Sequence, residues 1–173
     1  MIAVSKTASP LQDPDVAIDI RCDRWLENLP QVMTLCRRAA AAALAGAGKA
    51  SPSDSEISIV LADDDFVQTL NRSWRDQDSP TNVLAFPAAG DEMPQDGARL
   101  LGDVIVAFQT SQREATDQGK TLDDHLSHLI VHGVLHLLGY DHLADEEAEQ
   151  MERLETDVLS GLGIEAPYDD QSV

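Results

Sequence analysis

Apolar and polar residues alternate along the chain with two periods, and the switches between them mark out the elements. In residues 16–20 (VAIDI) the larger apolar side chains fall at every second position, which predicts a strand with one face buried. Residues 31–44 carry Val32, Leu35 and a run of alanines, strong helix formers apart from Val32, and Gly46 and Gly48 are expected to end that helix. EISIVLA restores the alternation at Ile57, Ile59 and Leu61, a second strand. Asp63 is then the expected N-cap of a helix that bears Phe66, Val67 and Leu70 and runs out near Trp74. DQDSP is turn chemistry closed by Pro80, and NVLAF follows as a third short strand. Residues 88–99, with their glycines, proline and acids, read as an exposed loop. The nearly continuous apolar run at residues 101–108 predicts a fourth strand buried on both faces.

The second half of the chain has the helical period. A helix is expected over about residues 110–118, and Thr121 with Asp124 resembles a capping box that opens another, running through His125, Leu129, His132 and His136 to Leu138. The last helix, about residues 144–159, puts Met151, Leu154, Val158 and Leu162 on one side and acids elsewhere. Strands alternating with helices early and two helices late predict an α+β or α/β sandwich around a small mixed sheet.

Length and composition restrict this picture. A chain of 173 residues fits one domain, here residues 14–165, between an N-terminal tail (1–13) and an acidic C-terminal tail (166–173) that are both expected to be flexible. No apolar run approaches the roughly 20 residues of a membrane helix, and the first residues lack the features of a signal peptide, so a cytoplasmic location is expected. Cys22 and Cys36 are the only cysteines and read as buried free thiols. With 12 basic against 31 acidic side chains the net charge is −19. That excludes a protein that coats nucleic acid through a broad basic face, because phosphate neutralisation by Lys and Arg supplies most nonspecific affinity. DNA is not an expected partner, and any nucleic-acid substrate must meet a local basic patch or be delivered by another protein.

The concentrated chemistry lies in HGVLHLLGYDH. His132 and His136 share a helix face about one turn apart, Gly139 is placed to reverse the chain, and His142 can fold back to the same point. Three nitrogen ligands without a fourth protein ligand are the layout of a catalytic zinc, which lowers the pKa of water and polarises a phosphoryl or carbonyl oxygen. The metalloprotease pattern HExxH has its general base after the first histidine; here that residue is Gly133, so peptide hydrolysis by that route lacks its base. His125 and His128 read as surface or core packing, ahead of a second ion.

HGVLHLLGYDH resembles the signature HGxLHLxGYDH of the YbeY family of bacterial endoribonucleases, also called rRNA maturation factors. LNRSWRDQDSPTNVLAFP (residues 70–87) is similar to that family's second block, and LGDVIV (101–106) to its third. The resemblance implies a Zn2+ ion held by His132, His136 and His142, and a substrate-binding or catalytic arginine at Arg75. It implies a role in maturing the 3′ end of small-subunit (16S) rRNA and in ribosome quality control. It also implies an α+β fold with a four-stranded mixed sheet and about five helices, the zinc site on a long helix and the turn after it. Ala85 stands where the family usually has serine, so a hydroxyl contact there is not assumed.

Other residues keep two readings. Arg75 is placed to reach a phosphate in fork geometry, or to pair with Asp76 or Asp78 at the surface; Arg72 is a weaker candidate for the same work. Asp141 orients a ligand imidazole or caps the turn after Gly139, and Asp103 faces the site or serves a turn. Tyr140 and Trp74 read as packing residues, with stacking on an RNA base as the alternative. The leading expectation is a single-strand-specific, metal-dependent endoribonuclease acting on rRNA, with a small-subunit ribosomal protein or an assembly GTPase as partner. The alternatives are a non-catalytic assembly factor with a structural zinc, and a metallohydrolase for another substrate.

Overall fold

The two periods resolve into a sheet with helices on both faces. The computed structural model describes residues 13–49, 52–89 and 99–165. The elements are β1 (Asp15–Ile20), α1 (Arg24–Asn28), α2 (Val32–Ala47), β2 (Ser55–Ala62), α3 (Asp64–Arg75), β3 (Val83–Pro87), β4 (Arg99–Ala107), α4 (Phe108–Asp117), α5 (Leu122–Leu137) and α6 (Asp145–Gly161), with a single 3-10 turn at Pro52–Asp54. Nearly all of the two expected tails, and residues 90–98 of the expected loop, lie outside the described residues.

The four strands lie in the order β1-β2-β4-β3, with β2 parallel to both β1 and β4 and β3 antiparallel to β4. The continuous apolar run therefore belongs to an inner strand. Alternate residues of β4 serve two cores: Val104 and Val106 point into the large one under α2, α5 and α6, while Ile105 and Ala107 meet Val67 of α3 on the other face. β3 is an edge strand, which is where Pro87 is tolerated. Val83 and Ala85 take the α5 side of it, Leu84 and Phe86 the α3 side.

Three departures from the sequence reading have local causes. Phe108 opens α4 and does not close β4; its ring meets Trp25 edge-on with centroids 4.9 Å apart. Trp25 belongs to the unpredicted α1, a helix of 5 residues, too short to display a period. Its indole is fully buried, and Nε1–H donates to the Ala62 carbonyl at 3.0 Å. Gly46 lies inside α2, where a Cβ would come 2.5 Å from Val158 Cγ2, so the glycine lets α6 approach; the helix ends at Gly48 with a φ of 64°.

Cys36 is buried and Cys22 half-buried, and both are free. Burial pushes the Cys36 thiol up to about 12, which leaves it protonated and inert. Among the described residues, no helix is long and apolar enough to cross a membrane.

Candidate metal centre

The site is built on α5. Thr121 caps its start by accepting from the Asp124 N–H at 3.2 Å, and Asp123 and Asp124 face the positive end of the helix dipole. The helix lies tight on the sheet because of Gly133, where a Cβ would stand 2.7 Å from Val104 Cγ1. The residue that would be the base of HExxH thus meets β4 at a distance that leaves no room for a side chain. Past the helix end, Gly139 adopts a φ of 93° and the Tyr140 N–H donates back to the Leu135 carbonyl at 3.1 Å, so the chain reverses as expected.

That reversal brings the three rings together. His136 Nε2 stands 3.0 Å from His132 Nε2 and 3.0 Å from His142 Nε2, and the rings of His132 and His142 stack with centroids 5.1 Å apart. Each of the two helical histidines has its other nitrogen occupied by a pure acceptor. His132 Nδ1 donates to Glu155 Oε1 at 2.7 Å, and His136 Nδ1 donates to the Tyr140 carbonyl at 2.9 Å. Each ring thus has a proton on Nδ1, and in the neutral imidazole it is Nε2 that carries the lone pair, aimed at the other ring.

Two lone pairs at 3.0 Å repel unless a proton or a metal cation lies between them. Nitrogens on a tetrahedral zinc stand about 3.3 Å apart, given bonds of about 2.0–2.1 Å, so the spacing suits an ion of that size. Burial first, then the neighbouring His132 and His142, hold His136 below the ordinary histidine pKa, which keeps its ring neutral and its lone pair free. By the chemistry of its donors, the cluster fits a metal.

Glu155 of α6 is the functional residue missing from the sequence reading. Its side chain is fully buried, bonded to His132, with His128 Nε2 3.4 Å from the same oxygen. Burial would raise its pKa, but the contacts from His128 and His132 outweigh burial and bring it down to about 2, so the carboxylate is charged and can only accept. It fixes the tautomer and orientation of His132, as a carboxylate does for a histidine that ligates a metal. His128, His132 and Glu155 also lie close enough together to hold an ion, but His132 offers them a protonated Nδ1, so we read them as support for the first site. Glu155→Gln keeps the volume and removes the charge, and is expected to weaken metal binding about 10- to 100-fold in a competition against a chromophoric chelator. Unchanged affinity would exclude an orienting role.

Asp141 and Asp103 each carry two readings, one beside a ligand imidazole and one in a turn, and the Asp141 charge does favour the protonated form of His136. Asp141 accepts from its neighbour's backbone, the His142 N–H, at 2.7 Å, and so caps the turn. Asp103 is exposed and has the parity of Ile105 along β4, which turns it to the α3 side, away from α5; it does not line the cavity at the histidines. His125 is 2% exposed and binds Glu114 at 2.8 Å, and Glu114 also receives the Asn82 side chain at 3.0 Å.

The histidines open into a cavity of about 590 Å³ whose other walls are Arg75, Thr81, Asn82, Val83, Ala85, Pro87, Tyr140 and Asp141. Arg75 is the only lysine or arginine among the described lining residues. It ends α3, and the turn after it is pinned by the buried Asn71, whose Nδ2 donates to the Ser79 carbonyl at 2.8 Å. Arg72 is tied to Asp78 at 3.6 Å, whereas Arg75 pairs with neither Asp76 nor Asp78 among the described residues. Tyr140 is half-buried against the core, but Trp74 is 73% exposed, which corrects the expectation that it packs.

A model of the endoribonuclease YbeY family matches residues 22–163. The chain belongs to the YbeY endoribonuclease family. An "Endoribonuclease YbeY" of Paramagnetospirillum magneticum is 56% identical over 160 residues, 91% of this chain and 97% of the relative. Another, of Rhodopseudomonas palustris strain BisB18, is 49% identical over 161 residues, 91% of this chain and 94% of the relative. A solution structure of a Thermotoga maritima protein is similar in fold, with a TM-score of 0.50 at 23% identity over 86% of this chain and 91% of that one. In this YbeY chain the three sequence blocks converge. HGVLHLLGYDH carries the rings, the block at residues 70–87 gives Arg75 and the opposite wall, and LGD gives Gly102, where φ is 140° and a Cβ would come 2.2 Å from the Phe86 carbonyl oxygen. That glycine lets β3 lie against β4 and so sets the cavity wall.

Proposed function

We propose that this protein is a zinc-dependent, single-strand-specific endoribonuclease that matures the 3′ end of small-subunit (16S) rRNA and serves ribosome quality control, as a single cytoplasmic metallohydrolase domain. The observation that carries the proposal is that three converging imidazole nitrogens share one cavity with a guanidinium that pairs with no acid among the described residues. His132, His136 and His142 hold the ion. When bound, zinc acts as a Lewis acid and lowers the pKa of water. The residues of the chain do the rest. Glu155 and the Tyr140 carbonyl keep two rings in the tautomer that presents Nε2. Arg75 binds the phosphate across the cavity and stabilises the charge that grows on its oxygens as the phosphodiester is attacked. Asn82 stands on that wall with its amide fixed by Glu114. A small-subunit ribosomal protein or an assembly GTPase delivers the rRNA to a chain whose charge of −19 repels phosphate at long range.

Metal analysis beside a cleavage assay tests this. Arg75→Ala is expected to keep the metal content of wild type while cleavage of single-stranded RNA falls about 100-fold or more. Full cleavage by a metal-free preparation would refute the zinc chemistry. Restoration of rRNA maturation by Arg75→Ala in a depleted cell, as well as by wild type, would favour a non-catalytic assembly role. A 2′,3′-cyclic phosphate on the product would identify the 2′-hydroxyl as the nucleophile.

A further inference from the structure

The residue before Arg75 is the most exposed aromatic side chain described. Trp74 is 73% exposed, whereas the other tryptophan, Trp25, is fully buried. The Trp74 ring is not loose: it leans on Phe86, with centroids 6.3 Å apart and planes 58° to each other. Phe86 in turn packs against the smaller core. In sequence Phe86 lies between Ala85 and Pro87, both walls of the histidine cavity, but it points to the opposite face of β3. Since β3 is the edge of the sheet, only one strand separates the indole from the cavity, and among the described residues no further strand covers that edge.

Electrostatics supply little affinity here. The cavity has one described arginine in a chain of charge −19, so binding of RNA needs a contribution that does not depend on phosphate. Stacking of a base on an aromatic ring is such a contribution, and is independent of sequence. Resting on the endoribonuclease reading above, we infer that Trp74 is the stacking platform for an unpaired RNA base flanking the phosphate held by Arg75, the strand passing over the β3 edge. A base in a duplex has both faces covered and is denied to the indole, which accounts for selection of single strands.

The test uses zinc-loaded full-length protein and a 2′-O-methyl RNA strand, which resists cleavage by the 2′-hydroxyl route, with a fluorescent label on one end. Titration into wild type is expected to quench indole emission saturably, while Trp74→Phe, which retains only the buried Trp25, shows no quench. By anisotropy of the label, Trp74→Ala is expected to raise Kd about 10-fold or more, and Trp74→Phe to recover part of that loss. The same strand annealed to its complement gives no quench with wild type. Metal content and melting temperature of both variants stay at wild-type values, which separates lost stacking from lost structure. Equal Kd for wild type and Trp74→Ala overturns the platform and leaves the endoribonuclease reading intact. No RNA binding by any variant overturns both. A dimer of wild type that Trp74→Ala abolishes, with RNA affinity unchanged, overturns the platform in favour of an interface between copies of this chain.

Discussion

His136→Ala is expected to purify without zinc and to cleave no RNA. His136 is the central ring, its Nε2 within 3.0 Å of both other nitrogens, so its loss leaves two ligands facing across a gap. Two imidazoles lack the three protein ligands of a catalytic zinc site. The folded state is also affected. An ion that binds only the native chain stabilises it by an amount that grows with the logarithm of its concentration over Kd, about 2.7 kcal/mol at 100 times Kd. A strong chelator should therefore lower the melting temperature of wild type and leave that of His136→Ala unchanged. Zinc retained by the variant in stoichiometric amount would show that the three rings are not the ligand set.

Gly133→Glu, which writes the metalloprotease motif into α5, is expected to prevent folding, with no gain of protease activity. A Cβ at this position stands 2.7 Å from one methyl of Val104 and 3.1 Å from the other. Val104 is fully buried in β4, and as a β-branched residue it has no spare rotamer. Alanine gains about 1 kcal/mol over glycine in helix propensity, yet the overlap costs about 1–3 kcal/mol, so Gly133→Ala should come out destabilised or close to neutral. Glutamate adds a longer, charged side chain that must be forced past the same contact. Soluble yield and thermal melting of the two variants decide the matter. A Gly133→Glu protein with wild-type melting would mean that α5 does not lie as close to the sheet as described.

Much of this was legible from sequence because it is written in local signals. The strands at Val16, Ile57 and Val83 alternate, Asp63 and Thr121 cap the helices they precede, and the three histidines follow helical spacing and a glycine stop. The family resemblance and the mixed four-stranded sheet it implies hold as well. What was hidden depends on contacts between distant segments. Glu155 sits in a run of acids that reads as a solvated helix face. Its signal was its register: four residues after Met151 and three before Val158, it occupies the apolar stripe of α6, where a carboxylate is buried and must find a donor. Asp103 kept two readings for the converse reason. Adjacency to the LGD glycine suggested the site, but a strand alternates faces, and parity sends it to the other side. Trp74 lies in the last turn of a helix whose period gives no hint that its aromatic residue stays in solvent.

The way the site is divided along the chain has a consequence for how the protein matures. All three rings come from one short segment that a helix end and a glycine turn bring together, whereas Arg75 reaches the cavity from α3, on the far side of the sheet edge. Bringing the three rings together needs only local structure, to which α6 adds Glu155 on His132. Placing Arg75 at the cavity needs β3 paired with β4 and α3 docked on them, contacts far apart in sequence and slower to form. On the reading proposed above, a newly made chain is expected to gather its three rings before it can present Arg75 to a phosphate, so that its nuclease activity is completed last by its own topology.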